Sequence, residues 1–490
     1  MTTKNQINKQ PVIFRSLIKS DKVEMKEKVL GYFVGPCGGF LFNAVLVAYL
    51  NIYYTDVLGL TNVAGGMFLF AFPLISKVLD IVINFTFGIL IDKTRTKQGK
   101  ARPYLILSAF LMSISGILAF AIPENNELLK LIWVVVSFNL CFAVSFSIFN
   151  LSHSLMVPLS TRNPEERGPL SVLNNMASMG MQGIVVGAIF PTFIMPMIGV
   201  DKSAWITTMT IVSLIALPLT LLEFYFTKER VTEENMKMGI VEKKVSALTQ
   251  FKEVVHDKIW WIIIAFYMFF FVGAQMRNAS LLYFCNYVAG TYNDGITPTL
   301  INIIGGIPMA IGMFIAWPLG KKIGKRNAMI IGFVFYALGS IITFAFASDI
   351  TGVLVGQIIK NFGSIPAIYL LAALLADVLD HIEWKSGFRC DGITISVTSS
   401  IMTVMSGVAI AVFNLLLSKS GYVQPYMENG ILIATQTESV KNVITFSFVG
   451  VEIITSIVII VILMFLNVEK GLGEKQKNIL ERKQFEMNKI

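Results

Sequence analysis

Apolar runs of about 20 residues follow one another along most of this chain, separated by short charged turns. Few folds can accept that pattern. A helix rises about 1.5 Å per residue, so each run is long enough to cross about 30 Å of hydrocarbon. Inside hydrocarbon every backbone N–H and C=O must find a partner within the protein, which leaves helices or closed barrels. The runs predict an all-α membrane protein with twelve transmembrane helices, near Leu30–Tyr53, Val63–Leu90, Pro103–Ile122, Leu129–Val157, Val172–Ile198, Trp205–Phe226, Ile259–Val288, Thr299–Leu319, Ala328–Ala347, Val353–Leu375, Ile393–Leu417 and Val443–Leu466. Only 14% of the residues are charged, where a soluble domain carries roughly 25%.

The charge pattern narrows the class. The net charge of +9 does not indicate a nucleic-acid partner, because the cations sit in turns between apolar runs. Cys37, Cys141, Cys285 and Cys390 lie in or beside those runs with no metal-ligand spacing. Walker A, HExxH and nucleophile-elbow motifs are absent, which excludes the usual ATP-driven pumps and hydrolases. No cofactor is expected; a coupling ion, H+ or Na+, is. Polar residues 1–28 read as a tail rather than a cleaved signal peptide.

Cations concentrate in "DKTRTKQGKAR" after the second run, in the long loop Lys228 to Lys258, in "KKIGKR" and in the segment after Val468. The odd-numbered loops carry Asp56, Glu124, Glu127, Asp201, Asp294 and Asp349 instead. The positive-inside rule therefore places both termini and the even-numbered loops in the cytoplasm of a multi-pass cell-membrane protein. The long loop divides the chain into a tail (1–28), a six-helix bundle (29–227), a central loop (228–258), a second bundle (259–467) and a C-terminal tail (468–490). "GILIDKTRTKQGK" and "PLGKKIGKR" each follow the second run of their half. Two such halves suggest a major facilitator fold with a substrate site near the midplane.

Ionisable residues far from the ends of a run are the candidate functional groups, because a charge at mid-bilayer is costly. Lys77, Asp80 and Asn84 fall on one helical stripe, with Lys77 and Asp80 about 20–25 Å from the outer end of their run. Asp80 is read as the carboxylate that takes a proton, or a sodium ion together with Asn84. A purely structural Lys–Asp pair is the alternative. Lys360, Arg277, Asn43, Asn150, His153 and Asn175 are candidate substrate contacts. Arginine offers a bidentate grip on a carboxylate or phosphate.

Three strings carry a resemblance to a known family: "YYTDVLGL", "LDIVINFTFGILIDKTRTKQGKARPY" and "ADVLDHIEWKSGFRCDGITISV". They resemble the glycoside–pentoside–hexuronide:cation symporter family, the melibiose permease-like group of the major facilitator superfamily. The resemblance implies uptake of sugars or their conjugates coupled to sodium or protons. Lys77 and Asp80 match the first two positions of that family's cation motif, while Ile83, Asn84 and Phe85 stand where the family has Asn-Asp-Pro. At the family's charged sugar contacts this chain has Gly39, Phe40, Asn150, Asn175 and Thr403. That pattern, with Lys77, Lys360 and Arg277 set against Asp80, implies an anionic or partly apolar solute, such as a glucuronide or an amphipathic glycoside. Asp92, Arg95, Lys100, Arg102, Glu383 and Arg389 are the expected cytoplasmic gate. A facilitator or exporter of an amphipathic steroid- or lipid-like solute, and a non-transporting membrane sensor, are the other readings. Membrane lipids and a small solute are the expected partners of a monomer.

Overall fold

A computed structural model describes residues 16–487 apart from 95, 97, 124–125, 162–163, 231–250, 253, 388–390 and 430. The described chain is almost wholly helical: α1 (Glu27–Val57), α2 (Met67–Lys93), α3 (Arg102–Phe120), α4 (Glu127–Ser160), α5 (Leu173–Ile198), α6 (Lys202–Tyr225), α7 (Lys258–Ala289), α8 (Ile296–Ile323), α9 (Lys325–Ala345), α10 (Ile350–Ser386), α11 (Asp391–Lys419), α12 (Glu438–Met464) and α13 (Leu472–Met487). Among the described residues, 11 of these are long and apolar enough to span a membrane, and α8 adds the shorter apolar stretch Ile296–Met309 at the place of the eighth expected span. A small hairpin, β1 (Tyr426–Glu428) with β2 (Ile431–Ile433), decorates the loop between α11 and α12.

Several helix starts are fixed by side-chain caps, as exposed N–H groups require. Asn126, Asp201, Asp257, Asp349 and Thr437 each accept from the first turn of α4, α6, α7, α10 and α12.

Two compact units emerge: residues 1–59 with 74–242, and residues 60–73 with 243–490. The stretch Leu60–Pro73 thus packs with the second unit, although the sequence reading placed it in the first bundle. Asn414 of α11 donates to the Leu69 carbonyl at 3.2 Å, and Ser418 donates to Asn62 at 3.3 Å. Pro73, inside α2, lies at the boundary, where a proline removes one backbone hydrogen bond and loosens the helix.

Each unit fastens its third helix to its sixth by the same device. In the first unit Glu229 accepts from the backbone N–H groups of Lys100, Ala101 and Arg102 at 2.8–2.9 Å. A carboxylate at a helix N-terminus also satisfies the macrodipole of α3. The Arg102 guanidinium turns back to the Phe224 carbonyl at 2.7 Å, at the end of α6. In the second unit Glu469 accepts from the Lys325 and Arg326 N–H groups at 2.8 and 3.1 Å, and Arg326 reaches the Met464 carbonyl at 2.7 Å. The two turns that look alike in sequence therefore do the same work in both halves.

Helices α9 and α10 approach each other through glycine. A Cβ at Gly339 would lie 2.3 Å from the Lys360 amide nitrogen, and one at Gly332 would lie 2.5 Å from the Gly363 carbonyl. Small residues let membrane helices pack backbone to backbone, where van der Waals contact drives association. That approach sets Lys360 against α9 and α12.

Candidate functional site

In the first unit, α2 and α4 build a polar cluster around Asp80. Lys77 pairs with one carboxylate oxygen at 3.3 Å. Asn84 and Ser147 both donate to the other, at 2.9 and 2.8 Å. The Lys77 ammonium also lies 5.4 Å from the centre of the Phe142 ring. The helical stripe read from sequence is thus one hydrogen-bonded group, joined by Ser147, which the sequence reading did not single out. Three donors already serve Asp80, so an incoming cation must displace Lys77 or the Asn84 and Ser147 donors.

A second ionisable pair lies deeper. His153 Nδ1 and Glu223 Oε1 are 2.7 Å apart, with the side chains 4% and 0% exposed. Phe149 stacks on the imidazole and Phe40 meets it edge-on. Glu223 is a second buried carboxylate of the first unit, fully enclosed near the end of α6. Glu27 is enclosed as well and pairs with Arg230 at 2.7 Å. His153, a candidate substrate contact by sequence, is a buried partner of Glu223 in this structure. Asn150 and Asn175 are exposed, and Asn43 is half-buried.

The second unit carries the other centre. Lys360 Nζ meets Glu452 Oε2 at 2.9 Å, both side chains wholly enclosed. The Tyr336 hydroxyl donates to Glu452 Oε1 at 2.5 Å. Arg277 lies 3.9 Å from that oxygen, is 20% exposed, and covers the Phe448 ring. Lys360, a candidate substrate contact by sequence, is wholly enclosed and paired with Glu452 in this structure. Glu452 and Tyr336 were missed, although a carboxylate in the middle of the last apolar run is the very signal that singled out Asp80. Thr403 spends its hydroxyl on the Ser399 carbonyl of its own helix at 3.1 Å.

Of the expected gate residues, Arg102 is buried and committed to α6, and Lys100 donates its N–H to Glu229. Glu383 is 4% exposed. Arg95, Arg389 and the side chain of Asp92 lie outside the described residues. A different charged cluster gathers near Glu383. Asp257 pairs with Lys385 at 2.8 Å and His381 at 3.5 Å, and Lys325 pairs with Asp377 at 2.5 Å. Burial pushes the Asp257 carboxyl up, but hydrogen bonds from His381, Lys385 and the Trp260 N–H outweigh it and hold it well below the ordinary range. A depressed folded-state value means a contribution present above the unfolded value of about 4 and lost as pH falls below it. The melting-temperature gap between wild type and Asp257→Asn should therefore close on acidification from about pH 5. A gap that widens in acid contradicts the assignment.

Helices long enough to span a membrane, with ion pairs enclosed among them, define a multi-pass membrane protein. Residues 31–470 match the family described as MFS/sugar transport protein, and the chain belongs to that family. The family match makes it a transporter rather than an enzyme. Its solutes are accordingly small molecules of the sugar type. Relatives include the isoprimeverose transporter of Lactiplantibacillus pentosus, 28% identical over 97% of this chain and 95% of its own length. The lactose permease of Leuconostoc lactis is 25% identical over 76% of this chain and 59% of its own length. A solved D-xylose-proton symporter superposes with a TM-score of 0.59 at 14% identity, covering 89% of this chain and 97% of that one, which supports the same fold.

Proposed function

We propose that this chain imports a sugar or glycoside by alternating access, coupled to a proton or sodium ion, with both termini and the even-numbered loops in the cytoplasm. The relatives named as transporters of isoprimeverose and lactose support the solute class. The basic turns after α2 and α8 support the orientation. Residues 29–227 and 259–467 are the proposed transport bundles, with 228–258 as their linker.

The observation that carries the coupling is the group around Asp80. Its four members offer several oxygens to a cation, and the Lys77 ammonium can be exchanged for one. Asp80, Asn84 and Lys77 are proposed as the coupling residues, with Ser147 as a further oxygen donor.

Vesicles containing purified protein, loaded by an inward proton or sodium gradient and offered isoprimeverose, test this reading. The wild type should accumulate sugar above equilibrium. Asp80→Asn should lose accumulation by at least about tenfold while exchange of preloaded sugar continues, because a charge-assisted contact contributes about 1.5–3 kcal/mol. Unchanged accumulation in that variant makes Asp80 structural.

A further inference from the structure

Helix α13 is fastened to the second unit by polar contacts that gather around one histidine. Gln476 donates to Asp380 at 2.8 Å, and Arg482 donates to the Trp384 carbonyl at 3.0 Å, in the last turns of α10. A cation there answers a free carbonyl and the negative end of that helix. Ile479 is buried, which gives the contact an apolar seat. Lys475 lies on the same face, its ammonium 3.1 Å from His381 Nδ1 and 5.6 Å from the centre of the Trp384 ring. On its other edge the imidazole places Nε2 3.5 Å from Asp257, the cap of α7. His381 thus meets both α7 and α13 from its place on α10.

Chemistry fixes which nitrogen carries the hydrogen. An ammonium only donates, so Nδ1 must keep its lone pair toward Lys475. The neutral ring then carries its hydrogen on Nε2, facing the Asp257 carboxylate. We infer that His381 is the proton-sensitive catch of α13. Neutral, it accepts from Lys475 and holds the helix; protonated, it has no acceptor left and sets two cations against each other.

Only one of the two partners leaves when α13 does. Asp257 stays beside the imidazole in either state, whereas Lys475 is there only while the helix is docked. A proton on Nδ1 therefore binds the undocked state better, and docking weakens as pH falls through the titration of the ring. A histidine titrates near pH 6.5 when nothing perturbs it. The charges around it do not reverse the sign. Asp257 pairs with Lys385 at 2.8 Å and is held well below the ordinary carboxylate range, so it stays ionised throughout. Asp380 is taken by Gln476, Asp377 by Lys325, and Glu469 by the N–H groups that open α9. Glu383 is enclosed within α10. On α13, Arg482 is committed to Trp384, Lys477 pairs with Glu481 at 3.8 Å in the open, and Glu474 is exposed. Water and salt screen such exposed charges.

Hydrogen–deuterium exchange of the full chain in phosphatidylcholine nanodiscs, with no solute present, tests the catch. A helix of this length is marginal in water by itself, so α13 exchanges readily once it undocks. Each rate is corrected for the intrinsic pH dependence of amide exchange. Between about pH 8 and pH 5.5, the span over which a histidine titrates, protection of α13 should fall about tenfold, the factor expected from one lost charge-assisted contact. Amides of α6 should keep theirs. His381→Gln retains a neutral acceptor and should flatten the pH dependence. Lys475→Gln removes the second cation and should flatten it as well. His381→Arg carries a permanent charge and should leave α13 loosely held even at about pH 8. Thermal unfolding of each variant checks that the remaining fold is kept.

Constant protection of α13 across that pH range overturns the inference. So does a loss that persists in full in His381→Gln or in Lys475→Gln. A loss that α6 shares reports general unfolding in acid and overturns it too. Should His381→Gln fail to fold, Lys475→Gln poses the same question from the other side of the contact. Solute accumulation enters none of these readouts, so the catch and the transport reading stand or fall separately.

Discussion

Glu452→Leu should yield a protein that barely folds. The substitution leaves the wholly enclosed Lys360 without its carboxylate and the Tyr336 hydroxyl without its acceptor. Removing one partner of a buried ion pair costs about 3–5 kcal/mol, because the surviving charge stays in a medium that cannot solvate it. That is a large fraction of the roughly 5–15 kcal/mol by which folded proteins are stable. Size-exclusion profiles and thermal unfolding in detergent read the loss directly. The double variant Glu452→Leu, Lys360→Met should recover most of it, since apolar residues of similar volume often replace a buried pair at little cost. A single variant that melts like the wild type would show that the pair contributes nothing to the fold.

The other large effect is expected at Gly339. A Cβ there would lie 2.3 Å from the Lys360 amide nitrogen and 2.5 Å from the Gly356 carbonyl. Both obstacles are backbone, so no side chain can swing aside and α9 must leave α10. Overpacking costs about 1–3 kcal/mol and occasionally more, and Gly339→Leu belongs at or above the top of that range. The same shift disturbs the residue that carries the Lys360 side chain, so the packing fault and the ion pair fail together. Gly306→Leu is the comparison: nothing lies within 4 Å of a Cβ at that position, and its melting temperature should stay near the wild type. Similar melting of the two variants would mean that α9 and α10 are not held by this contact.

Much of the molecule is legible without coordinates, and the reason is solvent. Hydrocarbon demands long apolar helices, so hydropathy alone marks their number and order. It also makes any ionised residue within them conspicuous, which is how Lys77, Asp80, Arg277 and Lys360 stand out. The spacing of Lys77, Asp80 and Asn84 is enough to bring them together, because residues three and four apart meet on one helix. The likeness of the two basic turns is visible in sequence too, although their task is not. Arg102 looks like a gate cation in a basic loop, yet its guanidinium closes the end of α6. Glu452, in the middle of the last apolar run, meets the same rule as Asp80, whereas Glu223 lies three residues from the end of its run at Phe226, and only packing reveals its burial.

The sequence by itself determined that this chain enters a membrane as a series of helices and which charges must be sheltered there, since both follow from the cost of exposing polar groups to hydrocarbon. Only the tertiary structure decided which charge shelters which. Partners such as His153 with Glu223, or Lys360 with Glu452, sit 70 and 92 residues apart. No helical period links such positions; helix packing does. The same packing encloses Lys360 and leaves Arg277 20% exposed, a distinction that two cations in apolar runs do not carry in their sequence.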